Sequence, residues 1–329
     1  MAVLVTGGAG YIGSHVSKAL NQAGFFPITI DNLSKGHTWA VKFGPLVQQE
    51  ISDQEKLKEV IAQFKPVATI HLASSINVRE SIQDPLFYYE NNVAATLKLL
   101  ETLVEQKVNV FVFSSSAAVY GQPLTIPIAE EHEKMPIHPY GKSKLMVEEV
   151  LRDLNFSHGF LSASLRYFNA AGADPENELG EAHDPETHLI PLTLGAALET
   201  TPALTIYGND FPTHDGTAIR DYIHVTDLAD AHVKALAYLL EKKESLTLNL
   251  GTGEGHSVKE IIDGVQRYTG LKVPHRYAPR NPADPTTLVA DPLKAKKVLK
   301  WTPRFSSLQT IIETAYEWER QKAEVRMQN

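Results

Sequence analysis

Tyr140 and Lys144 stand four residues apart, the spacing that puts two side chains on one face of a helix. A phenol beside an ammonium is an acid–base pair: the phenolate can take a proton from a hydroxyl if positive charge stabilises it. An unperturbed tyrosine, with a pKa near 10, is only about 0.1% ionised at pH 7, too little for a general base. Bringing it to neutrality takes roughly 4 kcal/mol, a load that cations in a secluded site can carry. Earlier in the chain lies the run Ser114-Ser115-Ser116, and Ser116 could share a proton with Tyr140 and a substrate hydroxyl. Each feature has a bland alternative. Tyr-x-x-x-Lys is a common helix-surface pair, and serines make strand-end hydrogen bonds, which is the expectation for Ser114.

The elements around these residues favour chemistry. Pro139 opens a helix whose core stripe is Met146, Val147, Val150, Leu151 and Leu154, and the serines end a strand beginning at Val110. The chain itself begins with a buried strand, Ala2 to Thr6, then a turn with Gly7, Gly8 and Gly10, then an apolar-periodic helix through Ile12, Val16, Ala19 and Leu20. Such a turn lets backbone approach a pyrophosphate, the amides at the helix start favour its charge, and Gly13 allows close packing. Glycine turns also join strands to helices with no ligand. Here a second strand, Phe26 to Asp31, follows and ends in an acid placed to accept hydrogen bonds from a ribose, so the dinucleotide reading is selected. Asp31 would repel the extra phosphate of NADP, which favours NAD. The positive nicotinamide ring is then a second cation for Tyr140.

Residues 1–168 alternate strand and helix patterns, with strands expected at Ala2–Thr6, Phe26–Asp31, Leu46–Gln48, Val67–Leu72, Val110–Ser114 and Leu161–Phe168. Leu57, Val60, Ile61 and Phe64 repeat at helical spacing, as do Val93, Leu97, Leu100 and Val104. The fold class is α/β, a doubly wound parallel sheet of Rossmann type. From Asn169 onward, loops rich in Pro, Gly and Asp (173–188, 208–216 and 274–285) alternate with shorter elements, including a helix that Ser257 and Glu260 start as a capping box. Residues 169–329 are therefore expected to form a smaller α/β substrate-binding domain, with interleaving of segments allowed. The charged end, residues 317–329, reads as a solvated helix end or a frayed tail.

Composition narrows the classes. With 43% hydrophobic and 21% charged residues, the 329-residue chain is an ordinary globular protein. A net charge of −8 argues against a nucleic-acid surface, so an anionic substrate must be held by particular arginines. The absence of cysteine excludes disulfides, thiol nucleophiles and Cys-based metal sites. The 13 histidines include no His-Glu-x-x-His motif, and His183 and His188 are not at a helical ligand spacing, so no metal site is expected. No apolar run approaches a membrane span and no charged leader precedes the first strand, which points to a cytoplasmic protein.

The Gly7-Gly8-Ala9-Gly10-Tyr11-Ile12-Gly13 turn, the run Ser-Ser-Ser-Ala-Ala-Val-Tyr-Gly at 114–121 and Tyr140-Gly-Lys-Ser-Lys144 resemble the extended short-chain dehydrogenase/reductases. Asn91-Asn92-Val93, Leu165-Arg-Tyr-Phe-Asn169, Gly180-Glu181, Gly208-Asn-Asp-Phe-Pro-Thr-His-Asp-Gly-Thr217, Arg220-Asp-Tyr-Ile-His-Val225 and Leu248-Asn-Leu-Gly-Thr-Gly253 narrow the resemblance to the UDP-glucose 4-epimerase family, from Ala2 to about Trp318. The resemblance implies a redox-neutral reaction on a UDP-hexose with a retained NAD. Tyr140 takes the proton of the 4-hydroxyl, directly or through Ser116, while the hydride leaves carbon 4. The 4-keto sugar then turns over and recovers the hydride on its other face. By position, NAD contacts fall to Gly7, Gly10, Tyr11, Ile12, Gly13, Asp31, Asn32, Glu50, Ile51, Leu72, Ala73, Asn91, Ser114, Tyr140, Lys144 and Tyr167. On the substrate side, besides Ser116 and Tyr140, Arg220 and Arg280 would pair with the pyrophosphate, and Asn169 and His188 would contact phosphate or sugar. Leu189 and Tyr207 would line the uridine and Asp284 would meet its ribose. The structural alternative for Arg220 is an ion pair with Asp221. Homodimers are common among such proteins, formed by the helix near 88–105 and the helix from Tyr140 as a four-helix bundle.

Several positions depart from the family's pattern. Ile76 replaces a frequent lysine near the cofactor phosphates, Glu50 an aspartate, Ser74 a glycine or alanine, Ala118 a threonine and His188 an asparagine; the first two bear on how tightly NAD is kept. Leu288 falls at the gatekeeper position, where a residue smaller than tyrosine implies acceptance of UDP-GlcNAc and UDP-GalNAc as well. A 4,6-dehydratase or decarboxylase would place acids where Ala117 and Ala118 stand. Epimerisation of another UDP-sugar, a uronic acid or a pentose, stays open. A non-catalytic NAD-binding regulator should have lost Ser116, Tyr140 or Lys144, and all three are present.

Overall fold

The computed structural model describes residues 1–280 and 284–328, with side chains as far as Glu324. Its strands are β1 (Ala2–Thr6), β2 (Phe26–Asp31), β3 (Leu46–Gln48), β4 (Ala68–His71), β5 (Val110–Ser116), β6 (Leu161–Tyr167) and β7 (Asn169–Ala171). They continue with β8 (Leu204–Tyr207), β9 (Ile219–Arg220), β10 (Tyr222–His224), β11 (Leu246–Leu250), β12 (His256–Ser257), β13 (His275–Ala278) and β14 (Thr287–Leu288). Seven form one parallel sheet in the order β11-β6-β5-β4-β1-β2-β3. Successive side chains alternate faces, so Val3, Val5, Ile70 and Val112 join one core while Leu4, Ile28, Phe111 and Phe113 join another. Both faces are covered by helices, the reason these strands read as continuous apolar runs.

The expected strands form with small differences. β4 is shorter by a residue at each end, and β5 runs on to Ser116 because the serines continue the ladder onto Arg166 and Tyr167 of β6. The helix expected near 88–105 is broken. Pro85–Tyr89 and Ala95–Glu105 are α-helical, but Glu90–Ala94 between them is a π-turn. There Asn92 accepts from the Ser75 N–H at 2.8 Å and donates to the Ser75 carbonyl at 2.9 Å, which ties the wide turn to the loop after β4.

A single boundary at 168 does not describe the chain. After the smaller unit begins, helix Val225–Lys242 packs back on helix Tyr11–Gln22, and β11 becomes an outer strand of the large sheet. The smaller unit is built on the pairs β7–β10 and β8–β13 and the trio β12-β9-β14. Its core joins Ile190, Leu194, Ile206, Ile261, Val265 and Ile311. The Ser257–Glu260 capping box is present, with reciprocal bonds of 3.1 and 2.8 Å. Among the described residues no helix is long and apolar enough to cross a membrane.

Candidate active site

The glycine turn is a surface that side chains cannot line. A Cβ on Gly7, whose φ is +72°, would lie 2.6 Å from the Ala73 amide nitrogen, and one on Gly13 would lie 2.1 Å from the Gly7 carbonyl. Leu72 and Ala73 thus back the turn, and Gly13 packs on the turn itself. Gly10 caps helix Tyr11–Gln22 without any side-chain acceptor, leaving the first amides, at Tyr11, Ile12 and Gly13, for an anion. At the end of β2, Asp31 is buried and accepts from the Ala9 N–H at 3.0 Å and the Leu33 N–H at 2.8 Å. Burial raises its pKa, and those two bonds oppose the rise. Asn32 donates to both oxygens of Glu50, at 3.0 and 3.1 Å. Ile51 sits buried in the core below, and Asn91 donates to the Ser75 hydroxyl at 3.2 Å. Ile76 is exposed. The cradle fits a dinucleotide: bare backbone, a helix start with free amides and a carboxylate at the ribose position.

Across the end of the sheet, His138 caps helix Pro139–His158 by accepting from the Gly141 N–H at 3.1 Å. Tyr140 and Lys144 are both buried, so they are not a surface pair. Lys144 donates to the Ser114 carbonyl at 2.9 Å and lies 5.8 Å from the centre of the Tyr140 ring. Among the described residues no carboxylate pairs with it, and burial pushes its pKa down to about 7. Burial also raises the Tyr140 phenol, which an interaction with Ser116 pulls down only in part. Lys144 therefore does not by itself produce the expected lowering. Ser116 accepts from the Ala118 N–H at 3.1 Å. Ser114 is structural in its side chain, with Oγ 3.1 Å from His232 Nε2. Burial raises the Tyr167 pKa as well, and the Tyr140 charge adds to the rise.

On the facing unit the arginines differ. Arg220 donates to the carbonyls of Ile219 at 2.8 Å and Thr286 at 3.4 Å. Asp221 is not its partner, being occupied by the amides of Thr252, Gly253 and Ala290 and the Thr252 hydroxyl. Burial lowers the Arg220 pKa, and the charges of Tyr222 and Asp284 only partly oppose this. Leu288 pairs with Arg220 in register and packs beside Phe168 against Ala117, Val119 and Tyr120. Asn169 begins β7, its N–H held by the Asp221 carbonyl at 3.0 Å. Arg280 lies 3.4 Å from Asp210 and over the Phe211 ring. Residues 281–283 of the loop expected at 274–285 lie outside the described residues.

Two features escaped the sequence. Arg79 stacks on Tyr207, guanidinium to ring centre 3.9 Å, joining the two sides of the cleft. No local signal marks that pair. His188, ahead of Leu189 at the start of helix Leu189–Ala197, lies with Nδ1 2.6 Å from Glu181 Oε1, and His183 Nδ1 lies 2.9 Å from the same oxygen. The helical-spacing argument against a His183–His188 pair does not apply, because their segment is an irregular strap with a bend at 184–185 rather than a helix.

The sequence pattern of the NAD dependent epimerase/dehydratase family matches residues 3–251. The chain belongs to this family. It is 48% identical to the UDP-glucose 4-epimerase of Rhizobium meliloti over 316 residues, 96% of each chain. Among solved structures, it is similar to the UDP-glucose 4-epimerase from Brucella ovis in complex with NAD, with a TM-score of 0.94 and 48% identity over 97% of this chain and 98% of that one. It is also similar to the UDP-glucose-4-epimerase from Stenotrophomonas maltophila with bound NAD and formylated UDP-arabinopyranose, with a TM-score of 0.95 and 38% identity over 99% of both chains. Family membership agrees with the NAD reading of the Gly7–Gly13 turn and Asp31, and with the doubly wound sheet.

Proposed function

We infer that this chain interconverts UDP-glucose and UDP-galactose by inverting carbon 4, with NAD held on the Gly7–Gly13 cradle. The observation that carries the substrate half is Arg220, a half-buried guanidinium whose hydrogen-bond partners among the described residues are the carbonyls of Ile219 and Thr286, and which pairs in register with Leu288. A desolvated cation of that kind needs an anion, and a pyrophosphate supplies one. Arg280 serves the same group from the 208–211 side, with Asn169 and His188 toward phosphate or sugar, and Leu189, Tyr207 and Asp284 around the nucleoside.

Bound NAD supplies the acceptance and return of a hydride at carbon 4. The chain's residues handle the proton. Tyr140 takes it from the 4-hydroxyl, directly or through Ser116, and returns it after the sugar has turned. The Ser114 carbonyl fixes Lys144 beside the Tyr140 ring, so that positive charge is available when the phenolate forms. Burial of all three side chains excludes water from the exchange. The regulator reading is not favoured, since the intact trio is also brought together in space.

The test is conversion of UDP-galactose to UDP-glucose by the purified protein with no NAD added. Conversion that survives in Tyr140→Phe would overturn the catalytic assignment, and a panel with UDP-uronic acids and UDP-pentoses ranks the substrates. We propose further that the enzyme works in the cytoplasm as a homodimer. Leu86 and Phe87 on helix Pro85–Tyr89, Leu97 on helix Ala95–Glu105 and Met146 on helix Pro139–His158, the last expected in the core stripe, are all exposed, which supports a covered face there. Sedimentation as a monomer would remove that part.

A further inference from the structure

The strap from Glu181 to His188 carries four potential metal ligands in the order Glu-x-His-x-x-Glu-x-His. The strap is irregular, with a bend at residues 184–185 between Glu181 and His183 on one side and Glu186 and His188 on the other. Folding turns the pairs toward each other: one donor atom from each of the four residues lies within 4.8 Å of the others. His188 Nδ1 is 3.3 Å from Glu186 Oε1, and His183 Nδ1 is 3.7 Å from Glu186 Oε2. A tetrahedral zinc with bonds of about 2.0–2.2 Å sets neighbouring donors roughly 3.3–3.6 Å apart. Glu181 Oε1 is closer, at 2.6 and 2.9 Å from the two nitrogens, and would retreat by less than about 1 Å on loading.

The decisive feature is what these atoms do not do. Glu181 Oε1, His183 Nδ1 and His188 Nδ1 are buried, and none has a hydrogen-bond partner among the described residues. Glu181 itself is only 4% exposed. The nitrogens are near enough to hydrogen-bond the oxygen, yet their N–H directions miss it. Two imidazoles and two carboxylates gathered within 4.8 Å of one another, three of their donor atoms buried without a well-aligned hydrogen bond among the described residues, can take a cation between them in place of their mutual ion-pair contacts. Outer contacts hold the ligands in place. The amides of Thr187 and His188 donate to Glu186 Oε1 at 2.7 and 2.9 Å. Trp318 and Lys322 donate to the Glu181 carbonyl at 2.8 and 3.1 Å.

We propose that Glu181, His183, Glu186 and His188 form a structural site for a divalent first-row cation, zinc by its donor set of two imidazoles and two carboxylates. Each imidazole binds through Nδ1 as the neutral ring, so loading releases whatever proton that nitrogen carried. The strap also reaches the cofactor side of the molecule, where Ala182 accepts from His37 at 2.7 Å and Asp184 from Lys35 at 3.0 Å. A metal here pins that strap beside the glycine turn. The assignment holds whichever sugar the enzyme turns over.

The experiment loads tag-free, full-length protein with zinc or with cobalt(II), removes free metal by dialysis and measures metal per chain together with the visible spectrum. About one zinc per chain and tetrahedral cobalt d–d bands are expected, both lost in His183→Gln and Glu181→Gln variants that retain the native circular dichroism. Less than about a tenth of an equivalent in the wild type overturns the site, as does equal binding by His183→Gln. If a variant does not fold, the wild-type stoichiometry and cobalt spectrum decide alone, since octahedral or absent bands also refute a four-donor site.

Discussion

Arg220 and Asp221 are neighbours in the chain and strangers in the structure. β9 ends between them, Asp221 turns into a ring of amides from Thr252, Gly253 and Ala290, and Arg220 turns to the carbonyls of Ile219 and Thr286. Their substitutions should therefore separate. If Arg220 holds the pyrophosphate as proposed, Arg220→Met removes a charge-assisted partner of the substrate, about 2–4 kcal/mol, and should raise KM for the UDP-sugar by roughly 30- to 1000-fold with little loss of stability. Asp221→Ala strips acceptors from several buried amides and should lower stability by about 2–4 kcal/mol. Steady-state kinetics and urea unfolding on both variants check the split. Arg220→Met with an unchanged KM would sink the pyrophosphate role.

Lys144 links catalysis to stability. Its folded pKa is about 7, whereas an unfolded lysine titrates near 10.4. Between those values the unfolded chain binds the proton that the folded one lacks, so this group makes stability rise with pH from about 7 toward 10. Its cost is fully present below pH 7. Lys144→Met should thus be more stable than wild type by roughly 2–4 kcal/mol at pH 6, with the advantage shrinking toward pH 10, while kcat falls at least about 100-fold. Denaturant unfolding at pH 6 and pH 9.5 reads the difference. An advantage that is absent at pH 6, or that grows with pH, contradicts the buried unpaired ammonium.

The sequence made these sites visible unevenly, for physical reasons. The glycine turn and the Tyr140–Lys144 pair are local: a few adjacent residues fix the backbone and the shared face, so spacing alone exposes them. Asp31 was legible because a strand end follows the turn at a set distance. β11 was not, since which strand borders β6 depends on where the chain returns after the smaller unit, and no property of residues 246–250 encodes that. The Arg79–Tyr207 stack and the Asn92–Ser75 bonds join distant segments in the same way. The Glu181–His188 strap was hidden for another reason: its four side chains lie on an irregular, bent segment, and a test for helical spacing passes over them.

Retention of the cofactor is a question that two positions frame. Gly13→Ala would drive a Cβ to 2.1 Å from the Gly7 carbonyl, and only a shift of the turn relieves it. The variant should be purified with at most about a tenth of the wild type's NAD content and lose about 1–3 kcal/mol of stability. Ile76, exposed by 43%, lies in the loop just beyond Leu72 and Ala73, which back the turn. Ile76→Lys should bring an ammonium toward the cofactor phosphates and slow NAD release by about 3- to 10-fold. Dissociation followed after dilution into an NAD-scavenging assay distinguishes these outcomes. Faster release from Ile76→Lys would show that the position does not face the phosphates.

The gatekeeper role proposed for Leu288 makes a prediction about how much room the sugar has. On β14 it pairs in register with Arg220 of β9, and it packs with Phe168 over the short turn that carries Ala117 and Ala118, just beyond the serine run. The wild type should act on UDP-GlcNAc with a kcat/KM within about tenfold of that for UDP-glucose. Leu288→Tyr adds a ring to that wall. It should leave UDP-glucose turnover within about threefold and reduce UDP-GlcNAc turnover by about 10- to 200-fold, the cost of a clash of one substituent. Paired kcat/KM values on both substrates for both proteins measure it. A wild type that rejects UDP-GlcNAc, or a tyrosine variant that slows both sugars equally, would place the wall of the acetamido pocket elsewhere.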